Sequence, residues 1–575
     1  MVPQSWTAAL FAVVQLSSTC HAQSDVPSVA NYRRRVFARH PASLIGDYVY
    51  FDGGEVSQVI GGKSPASQYR PSNPINTTLS IDLSKSWKPE EVEIKQTQKS
   101  APKMMRQAIF TDNSSNAFYI WGGFSPYGAS PPRAQLWKFN TDGSGGGSWS
   151  TEIKPGNDAF TGLTRSQGGT FVSTPDSGFY FGGYAEAGSD PNPNGPVPGF
   201  LQFNYTATDQ AWTNHTDVPY SNYRTLVGGS AHYVPTYGPN GLIMILGGGE
   251  HVIGSGQGVD NVGYLSFGSI WFMDPVTKEW YSQRTSGNAP GPRMWHCTVG
   301  LQGPNNTYEI FVFGGSNIAN SETYDEVHIL SLPGFVWKKA NYTSRYPRDC
   351  QSCVVAGQRQ MISFGGIDRM GGKGNSVTFF NSEDPLPQGL GVFDLTTLEW
   401  KDEYDAAAAS YETPEIVKSW YDDGNLANVE YSSDVAALFK QSNTGSSETE
   451  PGSGSSSDDS GSSSTNTGAI AGGVVGGVAG AALIGLAIWL LRRRKQKKVP
   501  GAGEAGPVEA PSNTQQYQVY SPVPPSTTLA PSELQGEYRD HSVTDKPKTM
   551  QPHEMDAQQP GHFYAAELDG TEARK

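Results

Sequence analysis

Arginines recur along the first 350 residues of this 575-residue chain at a spacing that could assemble a binding site. Each stands 14 to 23 residues before a glycine pair, and the six are Arg39, Arg106, Arg165, Arg224, Arg293 and Arg348. A guanidinium presents its donors in a planar fork and binds carboxylates and other anions through two parallel hydrogen bonds. A fold that brings several of these residues together would therefore form an anion-binding surface.

The histidines and acidic residues do not form a catalytic or metal-binding pattern. The histidines between residues 23 and 440 are His40, His215, His232, His251, His296 and His328. Glu250 and His251 are adjacent but lack further ligands at metal-binding spacing. GxSxG, HExxH and phosphate-binding glycine motifs are absent from the sequence. The sequence therefore predicts no catalytic residues, no metal, no cofactor, and a protein that is not an enzyme.

The cysteines allow more than one disulfide. Of the four, Cys20 lies in an N-terminal segment that we expect to be removed, which leaves Cys297, Cys350 and Cys353. A bridge between Cys350 and Cys353, or from Cys297 to either of them, would satisfy two of the three. One CxxC without a second pair of ligands does not predict a zinc site.

Six short apolar runs that end in glycine pairs indicate the elements that must position these residues. The pairs begin at Gly53, Gly122, Gly182, Gly247, Gly314 and Gly365. A second apolar run follows each pair and ends in a tryptophan, at Trp87, Trp149, Trp212, Trp280, Trp337 and Trp400. Four short strands cannot cover both faces of their own sheet, so repeats of this length stack around an axis. The sequence predicts an all-β fold, a six-bladed β-propeller.

The order of arginine, glycine pair and tryptophan resembles kelch repeats, and six such repeats extend over residues 39–401. Their glycine pairs lie 51 to 69 residues apart, mostly more than the usual kelch period of about 50, so we expect long loops between strands. The resemblance implies that residues 23–402 form a six-bladed kelch-type propeller. Residues 403–440 match no repeat, and we expect a C-terminal extension that straps the ring closed or packs beneath it.

The resemblance also implies where ligands bind. In kelch propellers the loops after the glycine pair and the loops that lead into the arginine open on one face, where partners bind. Here these loops contain Glu250, His251, Asp368 and Arg369. By resemblance to kelch substrate adaptors, whose repeat arginines grip acidic ligands, we expect a ring at the mouth of the axial channel made of Arg106, Arg165, Arg224, Arg293 and Arg348. The alternative is that each arginine bonds carbonyl groups of a neighbouring blade.

Both ends of the chain carry targeting or membrane signals. Residues 1–22 contain an apolar run followed by small and polar residues, which predicts a secretory signal peptide. Residues 469–491 hold no charge and, at about 34 Å as a helix, predict a transmembrane helix. Three arginines and three lysines follow within residues 492–498, so the positive-inside rule places the polar residues 492–575 in the cytoplasm as a disordered tail. The sequence predicts a single-pass type I membrane protein.

The segments around the span suggest modifications and partners. Residues 441–467 contain 15 Ser or Thr in 27 and predict a disordered, O-glycosylated stalk. Glycosylation sequons all precede the span, which agrees with an extracellular or lumenal N-terminal portion, and they lie at Asn76, Asn113, Asn204, Asn214, Asn305 and Asn341. Glycines spaced four apart in the span suggest a homodimer, and the proline-rich tail suggests docking proteins.

The whole layout resembles single-pass kelch-repeat membrane proteins of filamentous fungi. With 55 acidic against 41 basic side chains, the chain is not expected to bind nucleic acid. We predict a cell-surface module that recognises an extracellular glycan or protein. The alternative is a membrane-tethered copper radical carbohydrate oxidase, a class that resembles this chain in fold and requires two His, two Tyr and a Cys joined to one Tyr. A third alternative is a structural wall-spanning protein without a saturable ligand.

Overall fold

The computed structural model describes residues 41–57, 73–125, 129–192, 195–250, 263–343, 346–369 and 384–440. The predicted signal peptide (1–22), stalk (441–467), span (469–491) and tail (492–575) lie outside the described residues. Among the helices of the described ranges, none has the length and apolar character that a bilayer span requires.

Six antiparallel sheets of four main strands form the blades, and in each blade the strands follow one another in chain order. Blade 1 contains β1 (Ala42–Ile45), β2 (Tyr48–Phe51), a short pair β3 (Glu55–Val56) and β4 (Asn73–Pro74), then β5 (Thr77–Asp82) and β6 (Lys95–Gln98). Blade 2 contains β7 (Met105–Asp112), β8 (Ala117–Phe124), β9 (Leu136–Thr141) and β10 (Gly147–Glu152), and the helix α1 (Asn157–Gly162) follows it. Blade 3 contains β11 (Thr170–Ser173), β12 (Ser177–Phe181), a short pair β13 (Tyr184–Ala185) and β14 (Gly195–Pro196), then β15 (Phe200–Asn204) and β16 (Trp212–His215).

The second half of the ring repeats this plan. Blade 4 contains β17 (Ser230–Val234), β18 (Leu242–Leu246), β19 (Ser269–Met273) and β20 (Trp280–Arg284). The four main strands of blade 5 are β22 (Cys297–Gln302), β23 (Tyr308–Phe313), β26 (Val327–Leu332) and β27 (Val336–Lys339). A short strand before them, β21 (Ser286–Gly287), pairs in parallel with β27. A short pair, β24 (Ser316–Asn317) and β25 (Glu322–Thr323), lies between β23 and β26. Blade 6 contains β28 (Asp349–Ala356), β29 (Gln360–Ile367), β30 (Leu390–Asp394) and β31 (Glu399–Lys401).

The innermost strands close a ring of six. Neighbouring inner strands contact each other in the order β1, β7, β11, β17, β22, β28 and back to β1. The six-bladed propeller predicted from the repeats is therefore confirmed. We call the face that carries the loops between the second and third strands of each blade the upper face. The lower face carries the connections from the first to the second strand and from the third to the fourth strand of each blade.

Burial explains the apolar runs that precede the glycine pairs. The second strands β18 and β23 are buried along their whole length, because a neighbouring blade covers each face of the sheet. The repeat tryptophans fill the gaps between sheets: Trp337 of blade 5 is fully buried, and its indole nitrogen donates to the carbonyl of Phe267 in blade 4 at 3.0 Å. Packing between blades, rather than within one sheet, forms the core.

The glycine pairs bring successive blades into backbone contact. Gly314 and Gly315 have φ of 68° and 92°, and a Cβ on Gly314 would lie 2.5 Å from the carbonyl oxygen of Arg348 in the next blade. The amide of Gly315 donates to that same carbonyl at 2.9 Å. Glycine is needed because the close approach leaves no room for a Cβ and the positive φ disfavours other residues.

Residues 403–440, which we call the strap, run along the lower face after β31. Tyr404 is buried, its ring packs at a tilt against Trp87 of blade 1 with the ring centres 5.1 Å apart, and its hydroxyl donates to the carbonyl of Leu83 at 3.0 Å. Two further backbone hydrogen bonds join Tyr404 to Trp87. The strap therefore holds blade 6 against blade 1.

The rest of the strap covers the lower face of blades 5 and 4. It contains two helices, α2 (Glu415–Asp422) and α3 (Ser433–Lys440). On α2, Tyr421 shares a hydrogen bond with Ser331 in blade 5 at 2.9 Å, and on α3 the ring of Phe439 packs 4.7 Å from that of Tyr237 in blade 4. The extension thus closes the ring and also packs beneath it, which combines the two arrangements expected from the sequence.

One disulfide joins the inner strands of blades 5 and 6. It links Cys297 on β22 to Cys353 on β28, and Cys350 is a buried free thiol. Of the three pairings left open by the sequence, the structure contains Cys297–Cys353, one of the two that cross between blades. Disulfides persist in oxidising compartments, so this bond agrees with a secreted domain.

We expect the double substitution Cys297→Ala and Cys353→Ala to lower the free energy of unfolding by about 2–4 kcal/mol, because the bond closes a long loop of chain. Chemical denaturation of the variant and the wild type measures the difference. Replacing Cys350 alone by alanine is the control, and it leaves the bond in place. We expect reduction of the disulfide in the wild type to lower its stability as much as the double substitution does. An unchanged denaturation midpoint in the double variant would contradict the role of the bond.

Candidate functional site

Two of the predicted ring arginines lie inside their blades rather than at the axial mouth. Arg293 donates to the carbonyl of Gly314 at 3.1 Å and pairs with Glu326 at 2.8 Å. Arg348 donates to the carbonyl of Gly365 at 2.5 Å and pairs with Asp384 at 3.2 Å. Both side chains are 1% exposed. Arg293 and Arg348 therefore stabilise the glycine pair of their own blade. Their side chains neither reach the axial mouth nor bond a neighbouring blade.

The five arginines occupy different positions in their repeats, which explains why they do not form the expected ring. The carbonyl that accepts from the second glycine of the preceding blade belongs to Arg293 and Arg348 in blades 5 and 6, but to Met104, Ser166 and Leu226 in blades 2, 3 and 4. Arg106 lies two residues after this position, Arg165 one residue before it, and Arg224 two residues before it. The expectation of a five-membered arginine ring is thus corrected by the register of the inner strands.

We expect Arg293→Ala to lower the free energy of unfolding by about 2 kcal/mol, because it removes hydrogen bonds to Glu326 and to a buried carbonyl. Arg224→Ala is the matched control, since the Arg224 side chain is 59% exposed and surface substitutions usually change stability by less than about 0.5 kcal/mol. Urea denaturation compares the two. Equal stability of both variants would contradict a bracing role for Arg293.

Arg165 and Arg224 lie away from the axis on the upper side. Arg165 donates to the carbonyl of Pro132 at 2.5 Å, and burial lowers the pKa of its guanidinium although Asp190 opposes that effect. Arg224 is exposed and lies 3.5 Å from Asp217. Neither residue contributes to a common cationic mouth.

A ring of backbone hydrogen bonds surrounds the upper end of the axis. In blades 3 to 6, the residue with positive φ at the entry to the inner strand donates its amide to the carbonyl of its counterpart in the preceding blade. The five described members, with φ between 55° and 68°, are Arg106, Gly168, Gly228, Trp295 and Cys350, and the four bonds that join them measure 2.6–3.1 Å. We call this the axial ring. It fixes the side chains of its members at the centre of the upper face.

Three side chains of the axial ring fill its centre. The indole of Trp295 lies over the two glycines, since a Cβ on Gly168 or Gly228 would approach it within 2.8 Å. The guanidinium of Arg106 lies 4.8 Å from the centre of the Trp295 ring, a cation–π contact, and donates to Gln167 at 3.1 Å. Burial lowers the pKa of Arg106, although the Cys350 thiol acts in the opposite direction.

Arg369 is anchored beside this centre. Its guanidinium lies 2.9 Å from the carboxylate of Asp349 and 3.2 Å from the sulfur of Cys350. Burial disfavours the charged form, but Asp349 and Cys350 outweigh it and raise the pKa of Arg369. The hydroxyl of Ser316 donates to the same carboxylate at 2.6 Å. Of the predicted site residues, Arg106 and Arg369 are the two that the structure brings together.

The other predicted site residues have separate places. Glu250 is half-buried four residues after the end of β18, and burial raises the pKa of its carboxyl. Asp368 is partly exposed next to Arg369. His251 lies outside the described residues. Sequence reasoning missed Trp295, Asp349 and Cys350, which flank the repeat arginines but show their role only once the axial ring is formed.

The predicted glycosylation sites lie in the folded part of the chain. Four have exposed asparagines, at Asn113, Asn214, Asn305 and Asn341, whereas Asn76 and Asn204 are partly buried. Asn204 also accepts hydrogen bonds from the amide and hydroxyl of Thr206 at 2.9 and 3.0 Å. Modification of all six stays a prediction.

In the described ranges, no group of three or more His, Cys, Asp or Glu residues could hold a metal ion. The histidines there have structural contacts: His232 shares a hydrogen bond of 2.9 Å with Tyr308, and burial lowers its pKa to about 4. His328 bonds the carbonyl of Asn288 at 2.9 Å. The copper oxidase alternative stays an untested prediction.

Comparison with known families agrees with this architecture. Residues 242–410 match the model of the KLHDC2/KLHL20/DRC7 Kelch-repeats domain. The match begins at β18 in blade 4, includes blades 5 and 6, and ends in the strap. Together with the six-bladed ring, this match supports the kelch-type propeller predicted from the repeats. No curated protein sequence matches the chain at a significant level.

Proposed function

We propose that the propeller is a binding module that recognises an extracellular protein or glycan with its upper face, and that residues 469–491 tether it to a membrane. The observation that carries the proposal is the contrast between the two faces. The strap packs against the lower face of blades 4 and 5, whereas the upper face carries the long loops on a rigid ring. Long loops held by a rigid scaffold are the usual location of recognition sites.

The chemistry of the upper face suits a ligand with acidic and apolar groups. Arg106 offers guanidinium donors backed by the Trp295 ring, and Arg369 is fixed next to it by Asp349. Exposed charges stand further out, on Arg133 between β8 and β9 and on Glu322 in β25. Aromatic and arginine side chains held by buried contacts are typical of the energetic centre of protein interfaces.

Binding to arrayed neutral and acidic glycans and secreted proteins tests the recognition part of the proposal. The purified full-length chain is compared with the double variant Arg133→Ala and Glu322→Ala, and with Lys85→Ala, whose side chain is 82% exposed on the lower face. We expect saturable binding to at least one array member, weakened by the double variant and unchanged by the control. Absence of saturable binding, or equal weakening by Lys85→Ala, would count against the upper face.

Membrane tethering is supported by the apolar residues 469–491, the sequons that precede them and the inter-blade disulfide. Protease treatment of intact cells tests it. We expect the propeller to be cleaved from outside and an epitope placed in residues 499–575 to stay protected. Protection of the propeller, or release of the chain from membranes by alkaline carbonate, would contradict the tether.

A further inference from the structure

A lateral cleft of about 430 Å³ opens between the outer strands of blades 3 and 4. It lies at the rim of the propeller, separate from the axial ring, and its volume falls in the range of about 300–1,000 Å³ that small-ligand sites occupy. The linker from blade 3 to blade 4 forms one edge of the cleft, and the turn before β20 forms another. The cleft is therefore large enough to bind a small ligand.

Two aromatic surfaces form the walls of the cleft at a steep angle. The ring of His215 stacks on that of Phe200 at 4.5 Å and 10°, and the ring of Trp280 meets Phe200 at 6.2 Å and 74°. His215 and Trp280 are partly exposed, while Phe200 is buried. Tyr220 holds Trp280 from behind, edge to face at 5.5 Å. The walls are therefore preorganised and present flat apolar faces to a ligand.

Polar groups of both signs lie around these walls. Asp217 is 84% exposed and offers a carboxylate acceptor. Lys278 also lines the cleft, and its ammonium donates to the carbonyl of Pro275 and has two further N–H donors. Burial and then the neighbouring Lys278 lower the pKa of His215, so its ring is neutral at neutral pH and has one donor and one acceptor nitrogen. The negative charge of Asp217 and the positive charge of Lys278 cancel, so the lining carries no net charge.

Corresponding gaps between other blades are filled by aromatic side chains. Between blades 2 and 3, Phe160 of α1 packs 5.0 Å from Trp212. Between blades 5 and 6, Tyr346 packs 5.9 Å from Trp400. The linker between blades 3 and 4 also supplies an aromatic side chain, Tyr220, and Trp280 stays partly exposed, as Trp400 does. In the gap between blades 3 and 4, the exposed part of Trp280 lies beside the stacked rings of His215 and Phe200.

We propose that this cleft binds a neutral pyranose ring of a glycan. The C–H groups on one face of a pyranose match a flat aromatic wall, and its hydroxyls both donate and accept hydrogen bonds, as Asp217, Lys278 and His215 require. A glycan on Asn214 is not the occupant, because Asn214 lines a different cleft and successive residues of β16 point to opposite sides of the sheet. The site does not rest on the proposed role of the upper face.

Saturation-transfer NMR with three sugars tests this assignment: methyl glucoside, N-acetylglucosamine and glucuronate. The full-length chain is kept in a detergent without a sugar head group. We expect transfer to the ring protons of at least one neutral sugar, with about fivefold weaker binding for Asp217→Ala and for Trp280→Phe. Glu399→Ala is the matched control, since Glu399 is an exposed carboxylate on the outer strand of blade 6.

Asp217→Ala changes an exposed side chain, so its result stays interpretable if Trp280→Phe fails to fold. Unchanged binding in Asp217→Ala, no transfer to any of the three sugars, or binding of glucuronate alone would overturn the assignment. Loss of sugar binding by Arg133→Ala and Glu322→Ala, with Asp217→Ala unaffected, would place the sugar on the upper face and would also overturn it. If binding of a neutral sugar is lost only in the cleft variants, the cleft assignment is supported. The upper-face proposal is then tested separately by its array experiment.

Discussion

Replacing Lys99 by methionine is expected to lower the free energy of unfolding by about 3–5 kcal/mol. The side chains of Lys99 and Asp52 form an ion pair with no exposed surface on either partner. Gln107 of blade 2 also donates to this carboxylate at 2.6 Å, and Thr78 donates to its other oxygen at 2.9 Å. Removing the ammonium leaves a buried carboxylate without a counter-charge, which costs far more than the loss of one surface contact.

A double variant separates the charge effect from packing. Asp52→Asn together with Lys99→Met removes both charges and keeps one acceptor oxygen for Gln107, while the hydroxyl of Thr78 can turn to accept from the new amide, so we expect it to recover most of the lost stability. Denaturant unfolding of the two single variants and the double variant measures the coupling. A double variant as unstable as the sum of the single ones would show that Lys99 acts through its cation–π contact with Trp149, 5.1 Å away, rather than through its pairing with Asp52.

Tyr404→Ala is the second substitution with a large expected effect, a loss of about 3–5 kcal/mol. Tyr404 is 1% exposed, packs between Trp87 of blade 1 and the sheet of blade 6, and holds the point where the ring closes. Within the described residues each of these two blades is built from consecutive strands, so side-chain packing joins them. A cavity at this position opens the ring at its junction.

Tyr404→Phe is the matched control, because it keeps the ring and removes only the hydrogen bond to Leu83, worth about 1 kcal/mol. Hydrogen exchange of the amides in β1 and β28 reports on the junction directly. We expect faster exchange there in Tyr404→Ala than in the control. Equal protection in both variants would mean that the strap is not what closes the ring.

The number of blades was predictable because the glycine pairs and tryptophans that mark each blade are required by backbone geometry and packing. A glycine pair is required wherever a blade touches the entry to the next one, as Gly314 and Gly315 do at Arg348. A tryptophan such as Trp337 is required to fill the gap between sheets. These demands recur in every blade, so six repeats in the sequence correspond to six blades in the structure.

The arginines were harder to place because their register depends on the length of the first hairpin in each blade. Seven residues separate the paired ends of β17 and β18, whereas three separate those of β28 and β29, so counting back from the glycine pair does not find the same position in every blade. The partners of the buried arginines, Glu326 and Asp384, lie 33 and 36 residues away. Such pairs are visible only once the third strand folds back on the second.

The members of the axial ring and the contacts of the strap could not be predicted from the sequence, for related reasons. Arg106, Trp295 and Cys350 differ in type and share only a backbone conformation, which no residue pattern reveals. The strap contacts blades 1, 5 and 4 through single side chains such as Tyr404 and Phe439, without any repeat to mark them. Their positions follow from the closed ring rather than from local sequence.

Site-specific photocrosslinking on living cells tests the central claim, recognition through the upper face, most directly. A photoreactive amino acid replaces Arg133 or Glu322 on the upper face, or Lys85 on the lower face, in the full-length chain. We predict that light joins both upper-face positions to the same extracellular macromolecule and that the Lys85 position yields no such product. The same product from Lys85, or none from either upper-face position, would contradict the account.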